Sequence, residues 1–323
     1  MKMGYSLAAV IGAFVLTVLG MPPFIKYLRR HDEGQQIREE GPKWHAKKSG
    51  TPTMGGLIFL IAILVMVLIV SLVSHQLTTD VWLFVLVLAL YGAIGFADDS
   101  VKLAMKRNLG LTARQKSLAQ VVTAIVFLVI YFHDQMPTAL PFPVIGQLDS
   151  PVFFAVFVVF WLVGFSNAVN LTDGLDGLVG GLGIISYGAY AIIALREHQA
   201  VVAMICLAVV GALVAFLFFN HLPAKIFMGD TGSLALGGGL AVISIILGRP
   251  WSLLLIGLVY VIETASVILQ VFSYRTFHKR IFKMSPIHHH FEIIWGKGSE
   301  KKVVFTFWAA GLVSATIYLL LFL

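Results

Sequence analysis

The sequence has few charged residues and a single cysteine. Only 12% of its 323 residues are Asp, Glu, Lys or Arg, whereas an ordinary soluble domain carries roughly 25%. Cys206 cannot form a disulfide within the chain, which excludes a disulfide-linked scaffold. Apolar residues dominate instead, at 59% of the chain with a mean hydropathy of +0.90. A soluble core of this size could not bury that much apolar surface, so the composition predicts a membrane protein.

Apolar stretches that approach the length of a bilayer crossing, about 20 residues, occur ten times. They are residues 4–25, 54–74, 81–97, 117–133, 151–169, 178–195, 200–219, 232–248, 251–274 and 303–322. We therefore predict an all-α polytopic integral membrane protein in which residues 1–323 form one ten-helix domain. The proline-containing loop 134–150 is a candidate for a short hairpin.

The positive charges are distributed unevenly among the predicted loops. A net charge of +7 would suggest nucleic acid in a soluble protein, but in membrane proteins Lys and Arg concentrate in cytoplasmic loops. The loops after the odd-numbered helices hold 20 of the 23 Lys and Arg residues. This pattern predicts that both termini are extracytoplasmic, and we expect no nucleic-acid partner.

Acidic residues and histidines form clusters in four of these cytoplasmic loops. The clusters are Asp98 with Asp99, Asp173 with Asp176, Asp230 alone, and His288 with His289 and His290. Because all four lie at one face of the membrane by the charge count, we expect one active site at the cytoplasmic face.

The adjacent carboxylates of Asp98 and Asp99 repel each other unless a cation lies beside them. Mg²⁺ is typically bound by one or two carboxylates together with substrate phosphates. A solvated pair at a helix end is the alternative.

Asp173 and Asp176 would share one face if their segment is helical. The alternative is that Asp173 caps the sixth helix.

The glycine-rich turn 229–233 leads into the eighth predicted helix, whose N-terminal N–H groups can face an anion. Asp230 in that turn is compatible with a cation bound between its carboxylate and the anion. The alternative is that Asp230 only caps the helix. Phe227 could stack on a flat base or anchor the loop at the membrane interface. The three histidines could hold phosphate or move protons, or belong to an ordinary basic loop.

One acidic residue, Glu263, lies within the ninth apolar stretch, and Gln270 seven residues later shares its helix face. Intramembrane carboxylates are commonly functional. We favour a structural role for Glu263, because it lies about half a helix length from the predicted cytoplasmic cluster.

Five segments together carry a resemblance to a known family. They are GTPTMGG (50–56), FADDSVK (96–102), NAVNLTDGLDGL (167–178), FMGDTGS (227–233) and SPIHHHFE (285–292). In this order they resemble the polyprenyl-phosphate N-acetylhexosamine-1-phosphate transferases, and among these the phospho-N-acetylmuramoyl-pentapeptide transferases. The resemblance spans the whole chain.

The resemblance implies a Mg²⁺-dependent homodimeric enzyme of the bacterial plasma membrane. Such an enzyme transfers phospho-N-acetylmuramoyl-pentapeptide from UDP-N-acetylmuramoyl-pentapeptide to undecaprenyl phosphate and produces lipid I and UMP. By the same resemblance, the catalytic acids are Asp98, Asp99 and Asp230, with Asp230 and Asp99 as metal ligands. The implied nucleoside-binding residues are Asn170, Asp173, Asp176, Asn220 and Phe227. The rest of the implied substrate cleft comprises Lys48, Thr53, Lys116, Gln270, His288, His289 and His290.

Three other functions remain open at this point. The first is transfer of N-acetylglucosamine-1-phosphate by the sister branch of the family. The second is an ion-coupled transporter, although transporters bind their substrates near the bilayer midplane. The third is a non-catalytic nucleotide- or lipid-binding scaffold. Within the enzyme class, the sequence is compatible with direct attack by the lipid phosphate and with a covalent aspartyl-phosphate.

Overall fold

The computed structural model describes residues 3–31, 48, 50–105, 109–142 and 146–323. In these residues the chain forms twelve helices and one two-stranded sheet. The elements are α1 Met3–Arg30, α2 Gly56–Val73, α3 Thr79–Ala104, α4 Ala113–His133, β1 Ala139–Phe142, β2 Gly146–Asp149, α5 Pro151–Thr172, α6 Leu178–Arg196, α7 Ala200–Asn220, α8 Gly229–Ile246, α9 Ser252–Ile256, α10 Leu258–Phe277, α11 Ile287–Trp295 and α12 Glu300–Phe322.

Ten helices in the described residues are long and apolar enough to cross a membrane, which confirms the predicted number of spans. The exceptions are the short α9 and α11. The loop after α4 forms the expected hairpin, because β1 and β2 pair antiparallel with Ala139 opposite Asp149. Apart from this hairpin, the regular elements formed by the described residues are helices, as predicted.

Two helices extend further into the polar clusters than their apolar stretches indicated. α3 continues to Ala104 and α8 begins at Gly229, so Asp98 and Asp99 lie inside α3 and Asp230 lies in the first turn of α8. The prediction that these acids follow or precede the helices was therefore wrong. Hydrophobicity marks only the part of a helix in lipid, whereas backbone hydrogen bonding continues beyond it.

Other expectations about local structure also need correction. Residues 173–177 between α5 and α6 are not helical, so Asp173 and Asp176 do not share a helix face. Asp173 does not cap α6 either, because the N-cap residue is Gly177, with φ 79° and no side-chain cap.

The predicted span 251–274 is divided at Gly257 into α9 and α10. The histidine triplet lies on α11 rather than in a loop.

Helix α8 lies in the interior of the helix bundle, and every residue from Thr231 to Ile245 is buried. Small residues at membrane helix contacts let two backbones approach closely. A Cβ added to Gly95 of α3 would lie 2.2 Å from the backbone oxygen of Asp230, and one added to Gly237 would lie 2.3 Å from that of Phe165 in α5. α3 and α5 therefore contact α8 backbone to backbone, which brings their polar ends together.

We expect Gly95→Ala to disrupt both the packing and the site. The added methyl group overlaps the Asp230 backbone and must push α3 from α8, at a cost of about 1–3 kcal/mol. The melting temperature in detergent and the turnover should both fall. Gly188→Ala in α6 is the matched control, since its Cβ would have no atom within 4 Å. Equal effects of the two substitutions would contradict the close-packing argument.

The opposite end of the bundle carries a separate set of contacts. Arg249, after α8, pairs with Glu197, after α6, at 2.5 Å, and lies 3.4 Å from the backbone oxygen of Phe322 near the C-terminus. The rings of Phe142 in the hairpin and Trp251 are 5.0 Å apart. The loops after the even-numbered spans α4, α6 and α8 therefore meet the C-terminus at one end. The length of α8, about 27 Å at 1.5 Å per residue, separates them from Asp230.

Candidate active site

Three carboxylates from two helices meet at one end of the bundle. Asp98 and Asp99 on α3 and Asp230 on α8 each offer an oxygen atom, and these atoms lie within 4.8 Å of one another. Asp98 and Asp99 are almost fully buried, whereas the side chain of Asp230 is 16% exposed. The structure thus brings together the three acids that the sequence resemblance assigns to catalysis.

Two lysines neutralise most of this negative charge. Lys102 Nζ lies 2.6 Å from Asp98 Oδ2, 3.1 Å from Asp230 Oδ1 and 3.5 Å from Asp99 Oδ1. Lys116 Nζ lies 2.6 Å from Asp230 Oδ2 and 3.3 Å from Asp98 Oδ1. Sequence reasoning missed Lys102. Its position three and four residues after the two aspartates on one helix was the signal that could have found it.

The two neighbouring aspartates have different partners. Asp99 accepts hydrogen bonds from the backbone N–H groups of Asp230 at 3.2 Å and Thr231 at 3.0 Å, and from the Thr231 hydroxyl at 2.8 Å. It therefore satisfies the free N–H groups at the start of α8. From the described residues, Asp98 accepts one backbone hydrogen bond, which Leu111 donates at 2.8 Å. Asp99 fixes α8 against α3, while Asp98 is held mainly by the lysines.

Asn170, from the last turns of α5, joins the cluster through Asp230. Its side-chain amide donates to Asp230 Oδ1 at 3.0 Å and to Ser233 Oγ at 2.9 Å. The contact fixes one oxygen of the most exposed of the three carboxylates. The side chain of Ser233 also donates to the backbone oxygen of Gly229 at 3.0 Å, so the first turn of α8 is held from two sides.

Asp173 lies just beyond the end of α5. Burial raises the pKa of Asp173 to about 8, and the negative charges of Asp230 and Asp99 act in the same direction. Both effects favour the protonated form of its carboxyl group. A cation entering the cluster would favour loss of that proton.

The loop 173–177 is tied to two other segments through Asp176. The Asp176 carboxylate accepts from Lys48 Nζ at 2.7 Å and from the backbone N–H of Ala224 at 2.9 Å. Glu300, the first residue of α12, accepts from Lys48 Nζ and, at 3.1 Å, from the backbone N–H of Asp176. Glu300 was not predicted, because nothing local distinguishes a single glutamate at the start of an apolar run.

Asn220, the last residue of α7, uses both ends of its amide to connect neighbouring loops. Its oxygen accepts from the backbone N–H of Gly177 at 3.0 Å, and its nitrogen donates to the backbone oxygen of Ile226 at 2.9 Å. This places the loop between α5 and α6 beside the loop between α7 and α8. Two of the predicted nucleoside-binding residues, Asp176 and Asn220, thus shape these loops.

The segments around Thr53 and Phe227 pair through their backbones. The N–H of Phe227 donates to the oxygen of Pro52 at 2.8 Å, and the N–H of Gly55 donates to the oxygen of Phe227 at 2.9 Å. Thr53 is buried, and the ring-bearing side chain of Phe227 is partly exposed. The structure therefore fixes the loop and leaves part of the ring open to a ligand.

The first histidine of the triplet is buried against the intramembrane acid. Neither His288 nor Glu263 has exposed surface, and His288 Nδ1 lies 3.1 Å from Glu263 Oε2. On the other side, a Cβ added to Gly174 would lie 2.3 Å from His288 Nε2. The burial agrees with a structural role for Glu263. However, the pair also connects Glu263 to the loop that carries Asp173, a link that the sequence did not reveal.

The other two histidines point elsewhere. His289 Nδ1 lies 3.1 Å from Glu292 Oε2, and His290 Nδ1 accepts from the backbone N–H of Lys283 at 3.0 Å. The three rings thus have different partners, as the 100° step between helical residues requires.

The side-chain oxygen of Gln270 accepts hydrogen bonds from the backbone N–H groups of residues 281 and 282 at 3.0 and 2.9 Å. It therefore holds the chain that leads to α11.

The three carboxylates fit a divalent metal ion. Mg²⁺ prefers oxygen ligands and is usually held by one or two carboxylates and substrate phosphates. The buried Asp98 Oδ2 accepts no hydrogen bond of good geometry from the described residues, although Lys102 Nζ lies 2.6 Å away. Such an atom has capacity for a further cation. Together with this oxygen of Asp98, Asp230 and Asp99 would hold the ion on this cluster.

Ten membrane-length helices around a buried carboxylate–lysine cluster define a polytopic membrane protein with a site suited to phosphate chemistry. The family sequence model of glycosyl transferase family 4 matches residues 81–248. Signature 1 of the phospho-N-acetylmuramoyl-pentapeptide-transferases matches residues 48–60. The chain belongs to the phospho-N-acetylmuramoyl-pentapeptide-transferase family.

Curated relatives of that name support this assignment over the full length. The protein of Latilactobacillus sakei is 55% identical over 323 residues and covers 100% of both chains. That of Lacticaseibacillus paracasei is 56% identical over 324 residues, again with 100% of both chains covered. The Lactiplantibacillus plantarum protein is 57% identical over 311 residues, which is 96% of each chain.

Proposed function

We propose that this protein transfers phospho-N-acetylmuramoyl-pentapeptide from its UDP carrier to undecaprenyl phosphate and so forms lipid I and UMP. The observation that carries the proposal is the cluster of Asp98, Asp99 and Asp230 with Lys102 and Lys116. All of these residues except Lys116 belong to the segments that resemble the family. Both substrates are phosphate anions, and phosphoryl transfer depends mainly on positioning and charge neutralisation.

Each charged group has a defined task in this proposal. Lys102 and Lys116 bring two positive charges to the place where the diphosphate and the lipid phosphate must approach each other. Mg²⁺, when bound, adds positive charge that neutralises the diphosphate. Asp99 fixes the start of α8, and Asp230 faces the more exposed side of the cluster.

The lipid phosphate is the nucleophile that the chemistry favours. A phosphate monoester has a second pKa near 6, so it is largely dianionic at neutral pH and needs little activation. Asp98, which accepts fewer backbone hydrogen bonds from the described residues than Asp99 does, is placed to accept the remaining proton. Direct attack on the β-phosphate breaks its bond to the UMP oxygen and releases UMP.

The reaction itself is tested by UMP release from purified protein in detergent. We expect release with UDP-N-acetylmuramoyl-pentapeptide and undecaprenyl phosphate, dependence on Mg²⁺, and little release with UDP-N-acetylglucosamine. Preference for UDP-N-acetylglucosamine would move the protein to the sister branch. No release with either sugar, despite nucleotide binding, would favour a non-catalytic scaffold.

The proposal also includes the location: the bacterial plasma membrane, with both termini outside and the site facing the cytoplasm, in a homodimer. The orientation is supported by the 20 of 23 Lys and Arg residues in the loops after the odd-numbered spans. Three of these residues form ion pairs with acidic residues at the end of the bundle that carries the proposed active site. They are Lys48, Lys102 and Lys116.

Orientation predicts which engineered cysteines are reached from outside intact cells. In a Cys206→Ala background, Gln147→Cys in the exposed end of the hairpin should react with a membrane-impermeant maleimide. Arg280→Cys, in the exposed loop after α10, should react only after the cells are permeabilised. The reverse pattern would invert the topology.

Phe227 is expected to stack on the uracil base through the exposed part of its ring. Phe227→Ala should weaken UMP binding about fivefold, the equivalent of about 1 kcal/mol for an aromatic pair. Phe227→Trp should retain most of the affinity. Isothermal titration with UMP measures both. Unchanged affinity of Phe227→Ala would assign the ring to anchoring at the membrane interface.

A further inference from the structure

A second charged site lies away from the carboxylate cluster. A cavity of about 420 Å³ lies between the end of α1 and the segment that follows α7. Among the described residues, its lining includes four cations, Lys26, Arg29, Arg30 and Lys225, and no acidic residue.

The four cations are exposed. Lys26, Arg29 and Arg30 are exposed in the last turns of α1, and Lys225 is exposed in the loop before α8. In the described residues none of them forms an ion pair, whereas Lys48, Lys102 and Lys116 all do. Four like charges around one cavity repel each other, so an anion bound among them would be stabilised.

The remaining walls of the cavity are apolar. Pro22, Ile25 and Phe219 line it beside the cations. Pro22 and Ile25 belong to the end of the first membrane span, and Phe219 to the end of the seventh. The cavity therefore lies where the hydrocarbon of the bilayer meets the headgroup layer, with apolar walls toward the membrane and charges beyond it.

We propose that this cavity binds the headgroup of an anionic membrane phospholipid. The cations would hold its phosphate, and Pro22, Ile25 and Phe219 would cover the glycerol and the first acyl carbons. Basic pockets between membrane helices on the cytoplasmic side favour such headgroups. A lipid already present in the bilayer reaches this depth, whereas a free phosphate ion would make no use of the apolar wall.

The site is separate from the proposed reaction. None of the four cations contacts Asp98, Asp99 or Asp230. The headgroup site can therefore be tested by binding alone, without turnover, and its failure would leave the proposed transferase activity unaffected.

The test is a lipid titration of the purified full-length protein in detergent, followed by native mass spectrometry. The lipids are phosphatidylglycerol and phosphatidylcholine with identical acyl chains. We expect a saturable phosphatidylglycerol adduct that phosphatidylcholine does not replace. The variant with Lys26→Gln, Arg29→Gln, Arg30→Gln and Lys225→Gln should bind phosphatidylglycerol about tenfold more weakly or worse.

The matched control removes four exposed cations from the same end of the bundle. Its substitutions are Arg275→Gln, Lys279→Gln, Arg280→Gln and Lys283→Gln. We expect this control to bind phosphatidylglycerol like the unmodified protein. An equal loss in both variants would show a general charge effect and overturn the site. Equal binding of the two lipids would overturn the requirement for an anionic headgroup.

Two further arms complete the experiment. Displacement of phosphatidylglycerol by millimolar inorganic phosphate would assign the cavity to free phosphate and overturn the lipid proposal. If the fourfold variant does not fold, Lys26→Gln with Arg29→Gln tests the same prediction on the exposed side of α1. Unchanged lipid affinity in a folded variant would contradict the proposal.

Discussion

Asp230→Asn is expected to lower UMP release by about 10³-fold or more. The substitution keeps the shape of the side chain but removes the negative charge that lies beside Lys102 at 3.1 Å and Lys116 at 2.6 Å. An amide is a much poorer ligand for Mg²⁺ than a carboxylate. A metal ion contributes several kcal/mol to transition-state stabilisation, and each 1.36 kcal/mol is a factor of ten in rate.

The measurement combines turnover with a readout of metal binding. Wild-type protein should show a Mg²⁺-dependent increase in melting temperature and should lose activity in chelator. Asp230→Asn should lose both properties. Asp134→Asn is the control, because Asp134 accepts a hydrogen bond from the Thr79 hydroxyl near the hairpin, at the opposite end of the bundle. Full activity in chelator would contradict a metal-dependent reaction, and activity lost in chelator that zinc restores but Mg²⁺ does not would shift the metal site toward the histidines.

Asp98→Asn is expected to reduce the rate by about 10² to 10⁴, the usual contribution of a positioned general base. The affinity for the UDP substrate should stay nearly unchanged. The loops that carry the predicted nucleoside-binding residues are held by other side chains, including those of Asp176 and Asn220. Higher pH should partly restore the rate, because more of the lipid phosphate is then fully ionised. Wild type must be profiled in parallel, because the pKa of Asp173 is raised to about 8.

Asp99→Asn separates a structural from a chemical contribution in the same pair. Asp99 accepts three hydrogen bonds from the start of α8, so its amide variant should lower the melting temperature as well as the rate. Asp98→Asn should change the melting temperature less. The reverse order would contradict the division of tasks between these two residues.

The covalent alternative makes a different kinetic prediction. If Asp98 or Asp99 formed an aspartyl-phosphate, the enzyme would exchange labelled UMP into the UDP substrate without any lipid acceptor. Direct attack predicts no such exchange. Robust lipid-independent exchange, abolished by one of the two Asn substitutions and not restored at high pH, would overturn direct attack.

Much of the fold was predictable because its signals are local. The number of membrane spans follows from hydropathy alone, since each span must satisfy its backbone within one continuous apolar helix. The hairpin followed from its short, proline-containing loop. The acids Asp98, Asp99 and Asp230 could be grouped from the order of the spans alone, because loops that alternate across a membrane collect at two faces.

The tertiary structure decided which groups actually touch. Lys102 lies between three carboxylates, Glu300 pairs with Lys48, and Glu263 lies against His288. Apart from the contacts of Lys102 within α3, these pairs join residues far apart in the sequence. The extension of α3 and α8 into the cluster also escaped the hydropathy pattern. Hydropathy reports transfer into lipid, whereas these ion pairs depend on how closely small residues such as Gly95 let neighbouring backbones approach.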